Sequence, residues 1–470
     1  MKAEEFIGKV KSGEVEIVEY IHKVIEECKK INNKYHYFNK ISEELALKQA
    51  ENIKKNPQGK LAGLPVSIKD CICVKGVETR AGSAILNGYK PEFNATAVKK
   101  IIQEGAIIIG KTGQDEFGFG SFSTNMGKGF KKPLNPFDKE RCCGGSSGGC
   151  GGIVQKASFP HISLGESTGG SIVNPASFCG VYGLCPTYGR VSRYGLIDYG
   201  NSLDKIGPIA KHIEDIALMQ KIISGFDKNE STSLNAPVDD YSAYIGKDVK
   251  GMKIGVIDFG VSEDIDEPVR NKTHEAIDKL NAQGVKTEKV SLPFSKKYGI
   301  PTYFLIAASE ASTNLAKYCG MRYGSVGDLK GSFNEYFTKV RSEYLGDEAK
   351  RRIILGTFAR MAGQRDAYYI KAAQIRTKVI KEYKRLFKTY DALISPAINI
   401  LPPKFDDIDK LSLLQTYTID TLTVSPNLAG LPHLSIPTGI VEGLPSGVML
   451  TGDHLQEGKL IQLAVALRKE

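Results

Sequence analysis

Two stretches of this chain carry more glycine than a packed core tolerates without a reason. RCCGGSSGGCGG (141–152) is almost wholly glycine, serine and cysteine, and LGESTGGSIVNP (164–175) sets a second Gly-Gly-Ser at the mouth of an apolar run. Glycine loses more freedom on folding than any other residue, so such density weakens a fold unless the backbone needs it. Something must need a permissive backbone twice within one short span, each time beside a serine.

The surroundings read as alternating helices and strands. Residues 3–55 have apolar positions at three- and four-residue spacing and predict amphipathic helices. LPVSIKD (64–70) predicts a short buried strand, and ATAVKKIIQEGAIIIGKT (95–112) a helix capped at Gly105 and then the strand AIII. KHIEDIALMQKIISG (211–225) reads as a helix, GMKIGVIDFG as a strand, and DEPVRNKTHEAIDKLNAQG as a helix. Residues 301–388 are mostly helical in pattern, and YDALISPA (390–397), HLSIPTG and GVMLTGD read as strands. This rhythm predicts an α/β fold with a mixed, mostly buried sheet. A single domain over 1–470 is expected, with an inserted lobe at about 226–390 as the alternative division.

Several function classes fall away. The formal charge of +10 is spread over 470 residues, and no Lys/Arg block is long enough to mark a nucleic-acid surface. Nine cysteines are odd in number and lack paired CxxC modules, and seven histidines are scattered, so no metal site is expected and the thiols read as buried residues of a reducing cytosol. MKAEEFIGKV lacks the apolar core of a signal peptide, and no apolar run is long enough to span a membrane. A cytoplasmic enzyme is the expectation. Gly105-Ala-Ile-Ile-Ile-Gly110-Lys111-Thr112 matches the P-loop pattern GxxxxGK[ST] letter for letter. Three β-branched isoleucines after a helix favour a strand over a phosphate-cradling loop, so no nucleotide is expected there.

No histidine flanks either glycine-rich stretch closely; His161 sits in FPHISLG, a strand-like run. Lysine can serve as base where burial lowers its pKa, and Lys69 ends the apolar strand PVSIK. Taken alone, a lysine at a strand end is usually a solvated residue. Its companions change that. PVSIKD, GGSSGG, LGESTGGSIVNPASFCGVYGLCPTYGRVSRYGL and SLDKIGPIAKHIEDIALM, with EGAIIIGKTGQDEFGFGSFSTN before and NLAGLPHLSIPTG after, stand in the order of the amidase signature family, which the chain closely resembles over nearly its whole length. The resemblance implies that family's fold, with a mixed, mostly parallel central sheet covered by helices on both faces. It also implies a Ser–cis-Ser–Lys triad of Ser171 as nucleophile, Ser146 as relay and Lys69 as base. Thr168, Gly169 and Gly170 would form the oxyanion hole, aided by the dipole of a following helix. Two departures stand out: Glu166-Ser167-Thr168 replaces the family's Ser-Asp-Thr, and Val173-Asn174 its Arg-Gln.

IAASEASTNLAKYCGMRYG (306–324), RRIILGTFARMAGQRDAYYIKAAQIRT (351–377) and YTIDTLTVSPNLAGLP (417–432) resemble the branch of glutaminase subunits that serve tRNA-dependent amidotransferases. Glutamine is a zwitterion, so its pocket needs both charges. By motif position Arg352 would hold the α-carboxylate and Asp420 the α-ammonium, with Tyr303 lining the pocket. The resemblance further implies a heterotrimer with B-type and C-type subunits. Ammonia from glutamine would pass to the partner, which uses ATP and Mg to convert Glu-tRNA(Gln) to Gln-tRNA(Gln), or to amidate Asp-tRNA(Asn) instead; this chain would bind no cofactor itself. The alternatives are a stand-alone amidase of small amides, a P-loop nucleotide switch, and an RNA-binding protein on a dead enzyme core.

Overall fold

A computed structural model of the chain describes residues 1–468. Eleven strands form one sheet: β1 (Phe38–Ile41), β2 (Pro65–Lys69), β3 (Ile107–Thr112), β4 (Ile162–Ser167), β5 (Tyr182–Cys185), β6 (Lys205–Ala210), β7 (Lys253–Ile257), β8 (Lys286–Val290), β9 (Ala392–Pro396), β10 (His433–Val441) and β11 (Leu444–Thr451). Their spatial order is β1-β3-β2-β4-β6-β5-β10-β11-β9-β7-β8.

Every residue of β2, β3, β4, β5, β6, β9 and β11 is buried, without the alternation of a half-exposed strand. Such strands are covered on both faces, and helices do the covering. The expected α/β class and mixed sheet are borne out. Parallel pairing is confined to two blocks, β3-β2-β4 and β9-β7-β8, where helices connect the strands. The other six pairings among the described residues are antiparallel. The βα rhythm thus sets the parallel share, and hairpins and returns set the rest.

Most strands fall where the sequence places them, but β1 interrupts a region expected to be helical. Its four residues are too few to show a period, and the flanking helices Ile17–Tyr35 and Glu43–Lys55 dominate the pattern. β8, KTEKV, is largely exposed and has no apolar alternation to reveal it. Both are edge strands, short or charged as unpaired edges tend to be. The sequence reading assigns neither β5, inside the signature span, nor β6, inside SLDKIGPIA. β7 and β8, from the stretch 226–390, join the rest of the sheet through β9.

The register of two strands positions the site. β2 and β4 run parallel, with Val66 opposite Ile162 and Ile68 opposite Leu164. The residue that ends β2 is Lys69, and the loop that follows β4 carries Gly169-Gly170-Ser171. Both therefore emerge at the same edge of the sheet, where ligands commonly bind in α/β folds.

Candidate active site

Lys69 is fully buried, and its ammonium has three acceptors within reach. It donates to Ser146 Oγ at 2.7 Å, to the Glu166 carbonyl at 2.8 Å and to Glu166 Oε2 at 2.8 Å. Ser146 is also fully buried, and the Gly145–Ser146 peptide is cis, as the resemblance implied. The backbone N–H of Ser147 donates to the Ser171 carbonyl at 3.2 Å, which ties the two glycine-rich loops together. Ser171 keeps slight exposure, and its hydroxyl makes no hydrogen bond among the described residues. The three residues are thus gathered at one place, with Lys69 and Ser146 in direct contact.

The resting charge on Lys69 differs from the expected neutral amine. Burial, the largest influence, pushes its pKa down, but the Glu166 carboxylate outweighs it, with a smaller contribution from Cys71. The balance lies above the ordinary lysine value. Desolvation alone would favour the amine; an adjacent buried carboxylate reverses that. Glu166 is the acidic residue displaced by one position in the signature, and from this position its carboxylate reaches Lys69.

The glycines answer to close packing. Gly144 has φ of +74°, and a Cβ there would lie 2.9 Å from the Asn174 carbonyl. A Cβ on Gly170 would fall 2.5 Å from the Asn174 amide, and one on Gly169 3.2 Å from the Tyr303 ring. No protein acceptor takes the N–H groups of Gly169, Gly170 or Ser171 among the described residues. Free amides beside a serine hydroxyl with no protein partner are what an oxyanion hole requires. The Thr168 hydroxyl, separate from its N–H, meets Glu166 Oε1 at 3.0 Å and Asp204 Oδ1 at 2.8 Å. The helix after Ser171, Val173–Phe178, has only six residues, so the expected dipole is short.

Arg352 is buried in a cage of Phe119, Tyr199, Phe304 and Tyr417 rings, its guanidinium carbon 5.0–5.6 Å from their centroids. It donates to Glu348 Oε1 at 2.8 Å and to the Tyr199 hydroxyl. Asp420 is buried too; it accepts from Asn174 Nδ2 at 2.7 Å, from Thr423 at 3.4 Å and from Ser121. Burial raises the pKa of Asp420, against the opposing pull of those hydrogen bonds. Tyr303 lies against Gly169 on the nucleophile loop. Sequence reading missed Glu348, Tyr199, Ser121 and Asn174. Asn174 was visible as a departure from the family pattern, and its amide is the link between the Ser171 loop and Asp420.

Away from the centre, GAIIIGKT supplies strand β3, and Lys111 is buried, donating to the Ile72 carbonyl at 2.5 Å and Thr79 Oγ1 at 3.0 Å. All nine thiols are free, eight of them buried. Cys150, near Ser146 in sequence and so a candidate for steric block by a bulky reagent, is fully buried with its sulfur 3.0 Å from Thr112 Oγ1. Its reach by such a reagent is closed off by the fold.

The chain is similar to known proteins over nearly its whole length. The amidase family profile matches residues 19–461. The A-type component of the glutamyl-tRNA(Gln) amidotransferase of Halothermothrix orenii is 45% identical over 412 residues, covering 87% of this chain and 85% of that protein. Its namesake from Microcystis aeruginosa is 41% identical over 99% of this chain and 92% of its own. The crystal structure of the Thermotoga maritima namesake superposes with a TM-score of 0.79 at 36% identity, covering 94% of this chain and 89% of that one. A peptide amidase from Stenotrophomonas maltophilia, at 24% identity and a TM-score of 0.82, shares the fold over 99% of this chain and 96% of its own. With its buried lysine, cis serine and free glycine amides at one sheet edge, the chain belongs to the amidase signature family.

Proposed function

We propose that the chain is the glutaminase subunit of a tRNA-dependent amidotransferase, with Ser171, Ser146 and Lys69 as its catalytic triad. Ser171 attacks the side-chain amide carbon of glutamine while its proton passes through Ser146 to Lys69. The N–H groups of Thr168, Gly169 and Gly170 hold the developing oxyanion. Each such donor contributes roughly 2.7–4 kcal/mol. The proton returns by the same route to the leaving nitrogen, ammonia departs, and water hydrolyses the γ-glutamyl ester.

The observation that carries the reading is the 2.7 Å contact between Lys69 and Ser146 inside the protein, beside a free Ser171 hydroxyl. The choice of glutamine rests on opposite charges: Arg352 for the α-carboxylate and Asp420 for the α-ammonium, with Tyr303 between them and the nucleophile loop. A small apolar amide has no group of either sign for Arg352 or Asp420 to meet, whereas glutamine has one for each. Relatives named for glutamyl-tRNA(Gln) support the partner side of the proposal. Ammonia then passes to a B-type subunit within a heterotrimer that includes a C-type subunit. ATP, Mg and aminoacyl-tRNA are handled by the partner in the cytoplasm, and this chain binds no cofactor of its own. No described helix is long and apolar enough to cross a membrane.

The test is hydrolysis of glutamine against simple aliphatic and aromatic amides by the purified chain, alone and with B- and C-type subunits. Preference for glutamine, strengthened by the partners and lost in Arg352→Met, is the expected result. Equal or better turnover of simple amides would replace this reading with that of a stand-alone amidase.

A further inference from the structure

Lys69 presents a difficulty that the triad alone does not resolve. As an ammonium it has three hydrogens and three acceptors, so one N–H points at Ser146 Oγ. A base must instead offer Ser146 a lone pair. One proton has to leave Lys69 first, and the site is sealed from water: Lys69 and Ser146 are fully buried, and Glu166 is 3% exposed.

We infer that Glu166 is the acceptor of that proton, a positioning residue that converts Lys69 to the neutral amine across their 2.8 Å contact without exchange with solvent. The inference rests on the triad proposed above. In the transfer the Nζ–H bond breaks, an O–H bond forms on Oε2, and an ammonium–carboxylate pair becomes an amine–acid pair. Ser146 then gives its proton to Lys69 as it takes that of Ser171. Lys69 is now an ammonium again while Glu166 stays neutral, so the site has gained one positive charge as the oxyanion appears. In a dry interior desolvation offsets part of the Coulomb gain of the ion pair, which narrows the gap to its neutral form.

Proton counting around Thr168 supports the assignment. Its hydroxyl has one hydrogen but touches two carboxyls, Glu166 Oε1 at 3.0 Å and Asp204 Oδ1 at 2.8 Å. One of those contacts must be donated by a carboxyl proton. Asp204 Oδ2 accepts from the N–H groups of Tyr199 at 2.8 Å and Gly200 at 3.0 Å, the second shared with Oδ1 at 3.1 Å. Oδ1, with fewer donors of its own, is the oxygen that carries the proton. Burial, with the Glu166 charge beside it, holds Asp204 well above the carboxylate range. Asp204 therefore donates to Thr168, and Thr168 donates to Glu166, which keeps a hydrogen bond in either protonation state. The other titratable groups facing the pair do not compete for the proton. Cys71, 3.9 Å from Glu166 Oε2, and Cys150 and Cys185 are thiols that burial pushes up. Asp115, pushed up to about 6 by burial, accepts from the N–H groups of Ser123 and Asn125 and makes no hydrogen bond to Lys69, and Arg193 acts on Asp204 from further away.

The experiment compares kcat and KM of wild type, Glu166→Gln and Asp204→Asn between about pH 7 and about pH 9, in the full chain with its partner subunits. Because the proton stays within the pair, wild-type kcat is expected to be flat over that range. Glutamine at 166 mimics the protonated acid but cannot take a proton, so Lys69 must lose its own to solvent. Glu166→Gln is then expected to show a one-proton acid limb, falling about tenfold per pH unit below its midpoint and reaching the wild-type rate above it, with KM unchanged. That midpoint lies below the ordinary lysine value, because burial acts on Lys69 without the opposing carboxylate. Asp204→Asn, which still offers Thr168 a hydrogen, should keep the wild-type profile. A wild-type kcat that climbs with pH across the range would overturn the inference, even if neither variant folds. So would a Glu166→Gln enzyme slowed equally at every pH, the mark of a purely structural role. Absence of glutamine hydrolysis at any pH sinks the functional reading instead, and the same profile read on whichever amide is cleaved still decides the role of Glu166.

Discussion

Lys69 and Glu166 form a buried pair in which each residue depends on the other, and this separates the effects of the triad substitutions. Ser171→Ala is expected to abolish glutamine hydrolysis without loss of stability, because its hydroxyl bonds to nothing among the described residues. Ser146→Ala should reduce the rate by roughly 10²–10⁴, the usual worth of positioned proton transfer. Lys69→Ala should abolish activity and also leave the Glu166 charge unpaired, at a cost of about 3–5 kcal/mol. Denaturant titration of the three variants checks the contrast; equal stability of Lys69→Ala and wild type would contradict the ion pair. His161 gives a residue-scale test by pH. Both its ring nitrogens are buried without a partner, and burial lowers its pKa from 6.5 to about 3. The unfolded chain binds a proton there at higher pH than the native one, so this residue's share of stability is lost as pH falls from 6.5 toward 3. His161→Phe should therefore lose less stability than wild type over that window in acid titrations. A parallel loss in both would show that His161 is protonated in the fold.

At the scale of elements, the glycine-rich segments are packing surfaces as much as loops. The helix Gly148–Lys156 carries four glycines, and a Cβ on Gly151 would lie 2.8 Å from the Pro175 carbonyl of the helix that follows Ser171. In β6, a Cβ on Gly207 would lie 2.0 Å from the Leu184 carbonyl of the neighbouring β5. Backbone atoms cannot swing aside as side chains do, so Gly151→Ala and Gly207→Ala should each cost about 1–3 kcal/mol or more. Gly151→Ala should also lower kcat, since it pushes on the segment that carries the nucleophile. Melting temperature and kcat measured together check this; a melting temperature within a degree or so of wild type would mean the elements can separate freely. By contrast Gly8, with nothing within 4 Å of a Cβ and inside the helix Ala3–Lys11, should accept alanine with a small gain.

At the scale of the molecule, one apolar cluster draws on residues from Ala3 to Leu467. We propose that the chain unfolds as one unit, and the thiols report on it. Eight are buried and only Cys319 is partly exposed, so a thiol reagent should label about one group in the native protein and the remaining eight together on denaturation. Stepwise labelling would divide the chain into separately stable parts. What the sequence determined by itself was local or motif-borne. Apolar period placed β2, β3, β7 and β9, the β-branched run ruled out a P-loop at Lys111, and motif order marked Lys69, Ser146, Ser171, Arg352 and Asp420. What the tertiary structure alone decided was who stands beside whom. β1 and β8 were silent in the sequence because short, polar edge strands owe their form to a neighbour's hydrogen bonds. The charge on Lys69 was misjudged from sequence because a pKa follows the nearest buried charge, and Glu166 is 97 positions away along the chain, within reach only once β2 and β4 lie side by side.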